Sequence, residues 1–342
     1  MAKRILVIGP AWVGDMVLAQ SLYKSLKRRD AATEIDVVAP AWSKALLGRM
    51  PEVSRVIEMP AGHGELRLRT RYRLGRRLCA RGYDQAIVLP RSLKAALLPW
   101  FARVPVRTGF RGEMRYGLIN DMRPLDKAAM PKIVTRFVSL GHFSGEASGD
   151  LETPLPALTV SENNRIVALA RLGLTEDARI LALMPGAAFG QSKQWPPVYF
   201  ADTARRYASD GWQVWIFGDD ADRALGEQIA KLAGHAACIM NLCGRTSLAD
   251  AVDLISLAKL AVTNDSGLMH IAAAVGCPLV AVYGATSPDY TPPMIARSKI
   301  LWRNLECSPC WSRTCRYGHY RCLTEISQDD VCEAACSLES KL

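Results

Sequence analysis

Short apolar runs bounded by Gly, Pro and polar residues alternate with stretches of helical periodicity along the 342-residue chain. Arg4-Ile-Leu-Val-Ile-Gly9 is such a run, and its length and flanks predict a strand buried on both faces of a parallel sheet. After the loop 10–15, the spacing of Leu18, Leu22, Tyr23 and Leu26 predicts a helix over 16–29. The same alternation predicts strands at 35–39, 55–59, 86–89 and 105–108, and helices at 42–49, within 67–81 and at 131–142. Residues 145–156, rich in Gly, Pro and polar side chains, read as a linker. The pattern then repeats, with strands at 180–184, 213–217, 259–263 and 279–283. Its helices are predicted at 161–172, after Pro196-Pro197, from 219–222, at 247–257 and at 327–338. Two successive β/α halves predict an α/β protein of two doubly wound, Rossmann-like domains with a central cleft.

The stretch Val262-Thr-Asn-Asp-Ser-Gly-Leu-Met-His-Ile-Ala-Ala-Ala-Val275 carries the clearest local chemistry. An apolar run breaks at Asn264-Asp-Ser-Gly267 and continues in helix-favouring residues: strand, tight turn, helix start. Asp265 and Ser266 are good N-cap residues, and Gly267 lets a ligand approach the backbone. A helix beginning there offers free N–H groups and the positive end of its dipole, a place for phosphate. His270 follows one turn further in. The turn is expected to hold the diphosphate of a nucleotide sugar.

Hydrophobic residues make up 49% of the chain and charged residues 22%. That is enough apolar material for packed cores, and the length favours two domains over one. No uninterrupted apolar stretch reaches the roughly 18–20 residues that span a bilayer. Gly9, Pro10 and Asp15 break the first apolar run too early for a signal peptide, so a cytoplasmic protein is expected. The net charge of +10 is unevenly spread: residues 1–150 hold 26 Lys/Arg against 13 Asp/Glu, and the remainder 17 against 20. A basic first half points to an anionic partner, whether nucleic acid, a phosphorylated glycolipid or an anionic membrane surface.

Gly9 and Gly14 have the spacing of a phosphate loop. Asp15-Met16 stand where a Walker A motif needs Lys and Ser/Thr, however, and Ala11 breaks the dinucleotide fingerprint. What stays is a carboxylate, Asp15, at a helix N-terminus, as readily a first-turn acid as a functional group. The arginine run within 67–81 reads as a solvated helix face. Arg91, Arg107, Arg111 and Arg115 follow predicted strand ends, where open parallel sheets bind ligands, and are the better acceptor-site candidates. Asp219-Asp-Ala-Asp222 sits at a helix start and reads as capping acids rather than a metal site. Six of the ten cysteines, Cys307, Cys310, Cys315, Cys322, Cys332 and Cys336, crowd into the last 36 residues. Reduced packing thiols are the first reading. Cys307, Cys310, Cys315 and Cys322, with a single C-x-x-C pair, form a candidate structural metal site.

Val7-Ile-Gly-Pro-Ala-Trp-Val-Gly-Asp-Met16, Met50-Pro-Glu-Val53, Arg107-Thr-Gly-Phe-Arg-Gly-Glu-Met-Arg-Tyr-Gly117 and Thr263-Asn-Asp-Ser-Gly-Leu-Met-His270 together resemble the ADP-heptose:lipopolysaccharide heptosyltransferases. The resemblance implies a GT-B fold, with an acceptor domain at 1–155 and a nucleotide-sugar domain at 156–325. It also implies a C-terminal helix within 326–342 that crosses back to the first domain. The implied reaction is inverting transfer of L-glycero-D-manno-heptose from ADP-heptose to the first heptose of the lipopolysaccharide inner core, heptosyl-Kdo-lipid A. The implied setting is peripheral, at the cytoplasmic face of the inner membrane, with no cofactor, no catalytic metal and no nucleic-acid partner.

Residue by residue, the resemblance makes Asp15 the general base and Lys193 the diphosphate-binding lysine. Ser266, Gly267 and His270 fall near the phosphates, and Asp265 steadies the sugar or the turn. Asp222 matches the acid on the ribose hydroxyls, and Thr246 and Ser247 lie where the backbone meets adenine. Related heptosyltransferases carry two threonines before the lysine, where this chain has Ala188 and Phe189, so phosphate contacts there would fall to the backbone of 186–190. Two alternatives stay open. One is a GT-B transferase or epimerase using another sugar nucleotide; the other is a nucleotide-sugar-binding protein without catalysis.

Overall fold

A computed structural model describes residues 2–60, 64–143, 151–234 and 237–339. The chain divides into two compact units, Met1–Pro156 and Ala157–Leu342. Part of the predicted linker, 145–150, lies outside the described residues, and 151–156 form neither helix nor strand.

In the first unit, β1 (Arg4–Ile8), β2 (Glu34–Ala39), β3 (Arg55–Glu58), β4 (Gln85–Val88), β5 (Val106–Phe110) and β6 (Asp121–Arg123) form one sheet in the order β3-β2-β1-β4-β5-β6. Every neighbouring pair is parallel. Helices α1 (Val13–Arg29), α2 (Lys44–Leu47), α3 (Leu68–Cys79), α4 (Leu93–Phe101) and α5 (Ile133–Ser139) connect and cover the strands. β1 and β2 are buried along nearly their whole length because both faces of a parallel sheet are roofed by helices. Leu18, Leu22 and Tyr23 of α1 are fully buried, as their spacing requires. α1 begins three residues before the predicted start: Trp12 is its N-cap, and the Trp12 carbonyl accepts from Met16 N at 2.9 Å.

The second unit repeats the plan. It contains α6 (Glu162–Leu172), β7 (Ile180–Met184), α7 (Pro197–Ser209), β8 (Gln213–Ile216), α8 (Arg223–Ala233), β9 (Ile239–Asn241) and α9 (Leu248–Ile255). After them come β10 (Leu260–Asn264), α10 (Gly267–Ala274), β11 (Leu279–Tyr283), β12 (Ser298–Trp302), α11 (Arg321–Thr324) and α12 (Gln328–Glu339). Its sheet order is β12-β11-β10-β7-β8-β9, again wholly parallel. Two of the predicted helices start on side-chain caps: Ser161 accepts from Asn164 N, and Ser247 and Asp250 form a reciprocal capping box.

The C-terminal helix packs within the second unit. Val331, Cys332, Ala335 and Leu338 of α12 are buried in the same core as Leu181, Trp195, Phe200 and Val282. No helix among the described residues is long and apolar enough to cross a membrane.

Candidate functional site

In each sheet the chain runs outward on one side, returns to the centre, and runs outward on the other. The C-terminal ends of β1 and β4, and of β7 and β10, therefore flank a topological switch point. Loops leaving adjacent strands diverge there and open a crevice suited to a ligand.

At the switch point of the second unit, Lys193 Nζ lies 2.5 Å from Asp265 Oδ2. Thr286 Oγ1 donates to the same carboxylate oxygen at 2.6 Å. The Asp265 side chain is 5% exposed and that of Lys193 14%, so this ion pair is largely withdrawn from water. The Phe189 ring faces the ammonium, 5.1 Å from centroid to Nζ. The residue that departs from the threonine pattern thus packs against the lysine, an attractive arrangement for a cation over a π face. An ammonium has three donors; one bond to Asp265 leaves two for an anion.

The loop carrying Lys193 is held at both ends. Buried Asn264, the last residue of β10, donates to the Pro185 carbonyl at 2.6 Å and accepts from Trp195 N at 3.0 Å. On its other side, Ser192 N donates to the Arg313 carbonyl at 3.2 Å, Ser192 Oγ to the Ser312 carbonyl, and Ala285 N to the Ser192 carbonyl at 3.1 Å. Gly190 has φ 148°, and a Cβ there would come within 2.4 Å of the Arg313 oxygen.

Ser266 caps α10, accepting from Met269 N at 3.4 Å, and Gly267 and Leu268 head the helix with first-turn N–H groups. His270, in the same short helix, is 4% exposed and its Nδ1 is buried without a hydrogen-bond partner. Burial pushes its pKa down to about 4, against the pull of Asp265 and with the help of Lys193. Near neutral pH it is an uncharged ring.

Asp222 follows β8. Its Oδ2 accepts from Asp219 N at 3.2 Å, while Asp219 Oδ1 accepts from Ala221 N at 2.9 Å and Asp222 N at 3.3 Å. The Asp222 side chain lies over two glycines at neighbouring strand ends. A Cβ on Gly186 would come within 2.1 Å of Asp222 Oδ2, and one on Gly218 within 2.6 Å of Asp222 Cβ. Burial, then repulsion from Asp219, raises the Asp222 pKa. Thr246 and Ser247 follow β9. The Ser247 hydroxyl is committed to Asp250, donating at 2.7 Å, which leaves backbone and Thr246 for a ligand.

These residues form a line. Along the C-terminal rim of the sheet come Asp265 after β10, Gly186 and Lys193 after β7, Asp222 after β8, and Thr246 after β9. Three strand spacings place the ends of this row about 14 Å apart. An anion site, a carboxylate and a backbone edge in that order can take a nucleoside diphosphate laid across the strands.

In the first unit, Asp15 lies half-buried in the first turn of α1, after the β1 end of its switch point. Arg91 follows β4 and is exposed, as is Arg111 after β5. The other two arginines are placed differently. Arg107 is the second residue of β5, at the opposite end of the strand. Its guanidinium donates to the carbonyls of Val104 at 2.6 Å, Leu118 at 2.7 Å and Gly117 at 3.3 Å. Arg115 is fully buried and donates to the carbonyls of Pro90 at 2.7 Å and Phe110 at 2.5 Å. The terminal nitrogens of both guanidiniums donate to backbone carbonyls. Arg115 ties the loop bearing Arg91 to the loop bearing Arg111, so it shapes the rim instead of lining it.

Among the described residues no group of three or more His, Cys, Asp or Glu side chains is arranged to hold a metal ion, the candidate set Cys307, Cys310, Cys315 and Cys322 included. The sulfurs are differently engaged. Cys322 is buried beside Leu323 in the second core, and burial, with the other three cysteines adding to it, pushes its pKa up to about 11. Burial raises the Cys315 thiol, but the N–H groups of Tyr320, Tyr317, Gly318 and His319 together draw its pKa below the ordinary value.

Sequence reasoning missed Thr286 and Asn264. Asn264 ends β10 and Thr286 lies in the loop after β11, at the C-terminal rim of a parallel sheet, the position that could have flagged them.

The chain was compared with known proteins against this geometry. Residues 71–321 match the model of glycosyltransferase family 9 (heptosyltransferase). The chain is 45% identical over 344 residues to lipopolysaccharide heptosyltransferase 2 of Salmonella typhimurium, covering 99% of each. It is 47% identical over 304 residues to lipopolysaccharide heptosyltransferase 2 of Escherichia coli, covering 87% of each. The structure of the E. coli ADP-heptose LPS heptosyltransferase II superposes with a TM-score of 0.88 at 42% identity, covering 99% of both chains. The two parallel six-stranded sheets are those of the GT-B class. On the family match and on relatives alike over nearly their whole length, the chain belongs to glycosyltransferase family 9, the heptosyltransferases.

Proposed function

We propose that the chain moves L-glycero-D-manno-heptose from ADP-heptose to the first heptose of the lipopolysaccharide inner core, with inversion at the anomeric carbon. The observation that carries this is the row along the second sheet's rim: Lys193 with the head of α10, then Asp222, then Thr246. It is ordered as diphosphate, ribose and base are ordered in ADP.

In this reading, Asp15 takes the proton from the acceptor hydroxyl as that oxygen attacks the anomeric carbon. The bond from that carbon to the β-phosphate oxygen breaks, and its electron pair leaves with ADP. The Lys193 ammonium and the N–H groups at the head of α10 meet the charge that develops there. Neutral His270 backs this site without adding charge. Arg91 and Arg111 contact the anionic acceptor. Because heptosyl-Kdo-lipid A is a glycolipid, the chain works as a peripheral protein at the cytoplasmic face of the inner membrane, with no nucleic acid involved.

The test is product analysis. Purified chain is incubated with deacylated heptosyl-Kdo-lipid A and ADP-heptose, or with UDP- or GDP-sugars, and products are weighed by mass spectrometry. Addition of one heptose from ADP-heptose alone is expected. No product, or equal use of the other donors, would sink the reading.

A further inference from the structure

We propose that the outer face of α3 and α4 is a docking surface for an anionic lipid bilayer. The inference rests on the proposed glycolipid acceptor for its setting and goes beyond it by naming the surface.

α3 has the sequence Leu-Arg-Thr-Arg-Tyr-Arg-Leu-Gly-Arg-Arg-Leu-Cys, with five arginines and no acid. Its inner side is used up. Leu74 and Leu78 are buried in the core of the first unit, and Gly75 lets α4 approach so closely that a Cβ would meet Phe101 Cβ at 2.5 Å. Arg71 is buried too, donating to the Leu66 carbonyl at 2.7 Å.

The outer side combines two features. Arg69, Arg73, Arg76 and Arg77 are exposed, and their side chains make no hydrogen bond or ion pair to another described residue. Arg69, Arg73 and Arg77 follow one another at i, i+4, an arrangement in which like charges repel and an isolated helix loses stability. Such a row calls for an external counter-charge, and guanidinium matches phosphate by paired hydrogen bonds. Beside this row lies exposed apolar surface: Leu68 (49%), Tyr72 (51%) and Trp100 (47%). Tyr72 packs edge-on to Phe101 with centroids 5.3 Å apart, and Phe101 meets Trp100 at 5.1 Å, so one aromatic line runs from α3 onto α4.

Exposed rings and leucines beside unpaired arginines fit an interface that is anionic outside and apolar just beneath. A soluble phosphosugar would satisfy the arginines but leave the aromatic line in water. RNA would satisfy the arginines and stack on the rings, but gives Leu68 nothing.

The test is co-sedimentation of the full chain with vesicles. Wild type is expected to bind phosphatidylethanolamine–phosphatidylglycerol vesicles, to be released by salt, and to bind phosphatidylcholine vesicles weakly. The combined change Arg69→Gln, Arg73→Gln, Arg76→Gln and Arg77→Gln should weaken binding to anionic vesicles about tenfold or more. Tyr72→Ser with Trp100→Ser, which leaves every charge in place, should weaken it several-fold. Both variants should keep wild-type transfer to a deacylated, water-soluble acceptor. Wild type ignoring anionic vesicles, or both variants binding like wild type, overturns the proposal. So does a loss of soluble-acceptor transfer in the arginine variant, which would make α3 part of the acceptor site, or tighter binding of wild type to RNA than to the vesicles. If wild type binds vesicles but transfers no heptose, the docking surface stands and the proposed reaction falls.

Discussion

Lys193 and Asp265 form a largely buried ion pair, 2.5 Å from ammonium to carboxylate, and Thr286 donates to the same carboxylate oxygen. Removing one partner strands the other charge. Asp265→Asn should therefore cost about 3 kcal/mol of stability, read as a lowered urea midpoint. Thr286→Val removes one hydrogen bond to a charged group and should cost about 2 kcal/mol while raising KM for ADP-heptose. Lys193→Met should lower kcat for transfer by about a hundredfold or more, because leaving-group charge goes unmet. Unchanged transfer in Lys193→Met would remove the lysine from the donor site.

Asp15 should separate chemistry from binding. Asp15→Asn keeps the side-chain shape and loses the base. Transfer should fall about 10²–10⁴-fold, with ADP affinity by calorimetry unchanged. Full transfer by a folded Asp15→Asn protein would end its assignment as the base.

The four candidate arginines should split into two pairs. Arg91→Ala and Arg111→Ala should raise KM for the acceptor and leave KM for ADP-heptose alone. Arg115→Leu leaves buried carbonyls unpaired, so its main effect should be on stability, about 2–3 kcal/mol. An Arg115 variant with normal stability and a raised acceptor KM would restore it to the acceptor site.

Much of this was legible in the chain because physics leaves few choices for it. β1, β7 and β10 are apolar runs buried on both faces, and the residue ending each run lies where a ligand can reach. β6, β9 and β12 were not legible. They are edge strands, two of them of three residues, and β12 has exposed Lys299 and Ile300, so no alternation marks them. Pro99 inside α4 hid that helix. The arginines show a deeper limit. A guanidinium that satisfies carbonyls and one that awaits a phosphate look alike in one dimension. Arg107 and Arg115 are told from Arg91 and Arg111 only by which backbone the fold brings round to them.

Gly186 offers a steric test. A methyl group there would overlap Asp222 Oδ2, at 2.1 Å. Gly186→Ala should push the carboxylate from the rim and weaken ADP binding about tenfold or more, since the lost contact is a hydrogen bond to a charged group. Gly173→Ala, at a helix end with φ 67°, is the control: it should lower stability without touching ADP affinity. Equal ADP affinity in Gly186→Ala and wild type would detach Asp222 from the nucleotide.

His270 should make stability depend on pH. The folded protein does not protonate it until about pH 4, whereas the unfolded chain takes up the proton near the ordinary histidine value of 6.5. The unfolded state thus binds more protons between these values, so stability falls as pH drops from about 6.5 to about 4 and levels off below. The contribution is about 3 kcal/mol at most. Urea midpoints at pH 7 and pH 5 should converge for His270→Asn relative to wild type. An equal drop in both proteins would show that other groups set the slope.

The tether between Ser192 and the carbonyls of Ser312 and Arg313 also bears on when this protein becomes competent during synthesis. All strands of the first unit have left the ribosome once Arg123 is clear. The lysine loop is made early in the second unit, yet its anchor comes more than a hundred residues later. A nascent chain can therefore complete the first unit, and even β7 with Lys193, while the lysine loop still lacks this tether. The Lys193 loop is thus anchored on this side only after residues 312–313 have been made, so a product stalled before them would hold Asp15 on a finished sheet and Lys193 on a loop without this tether.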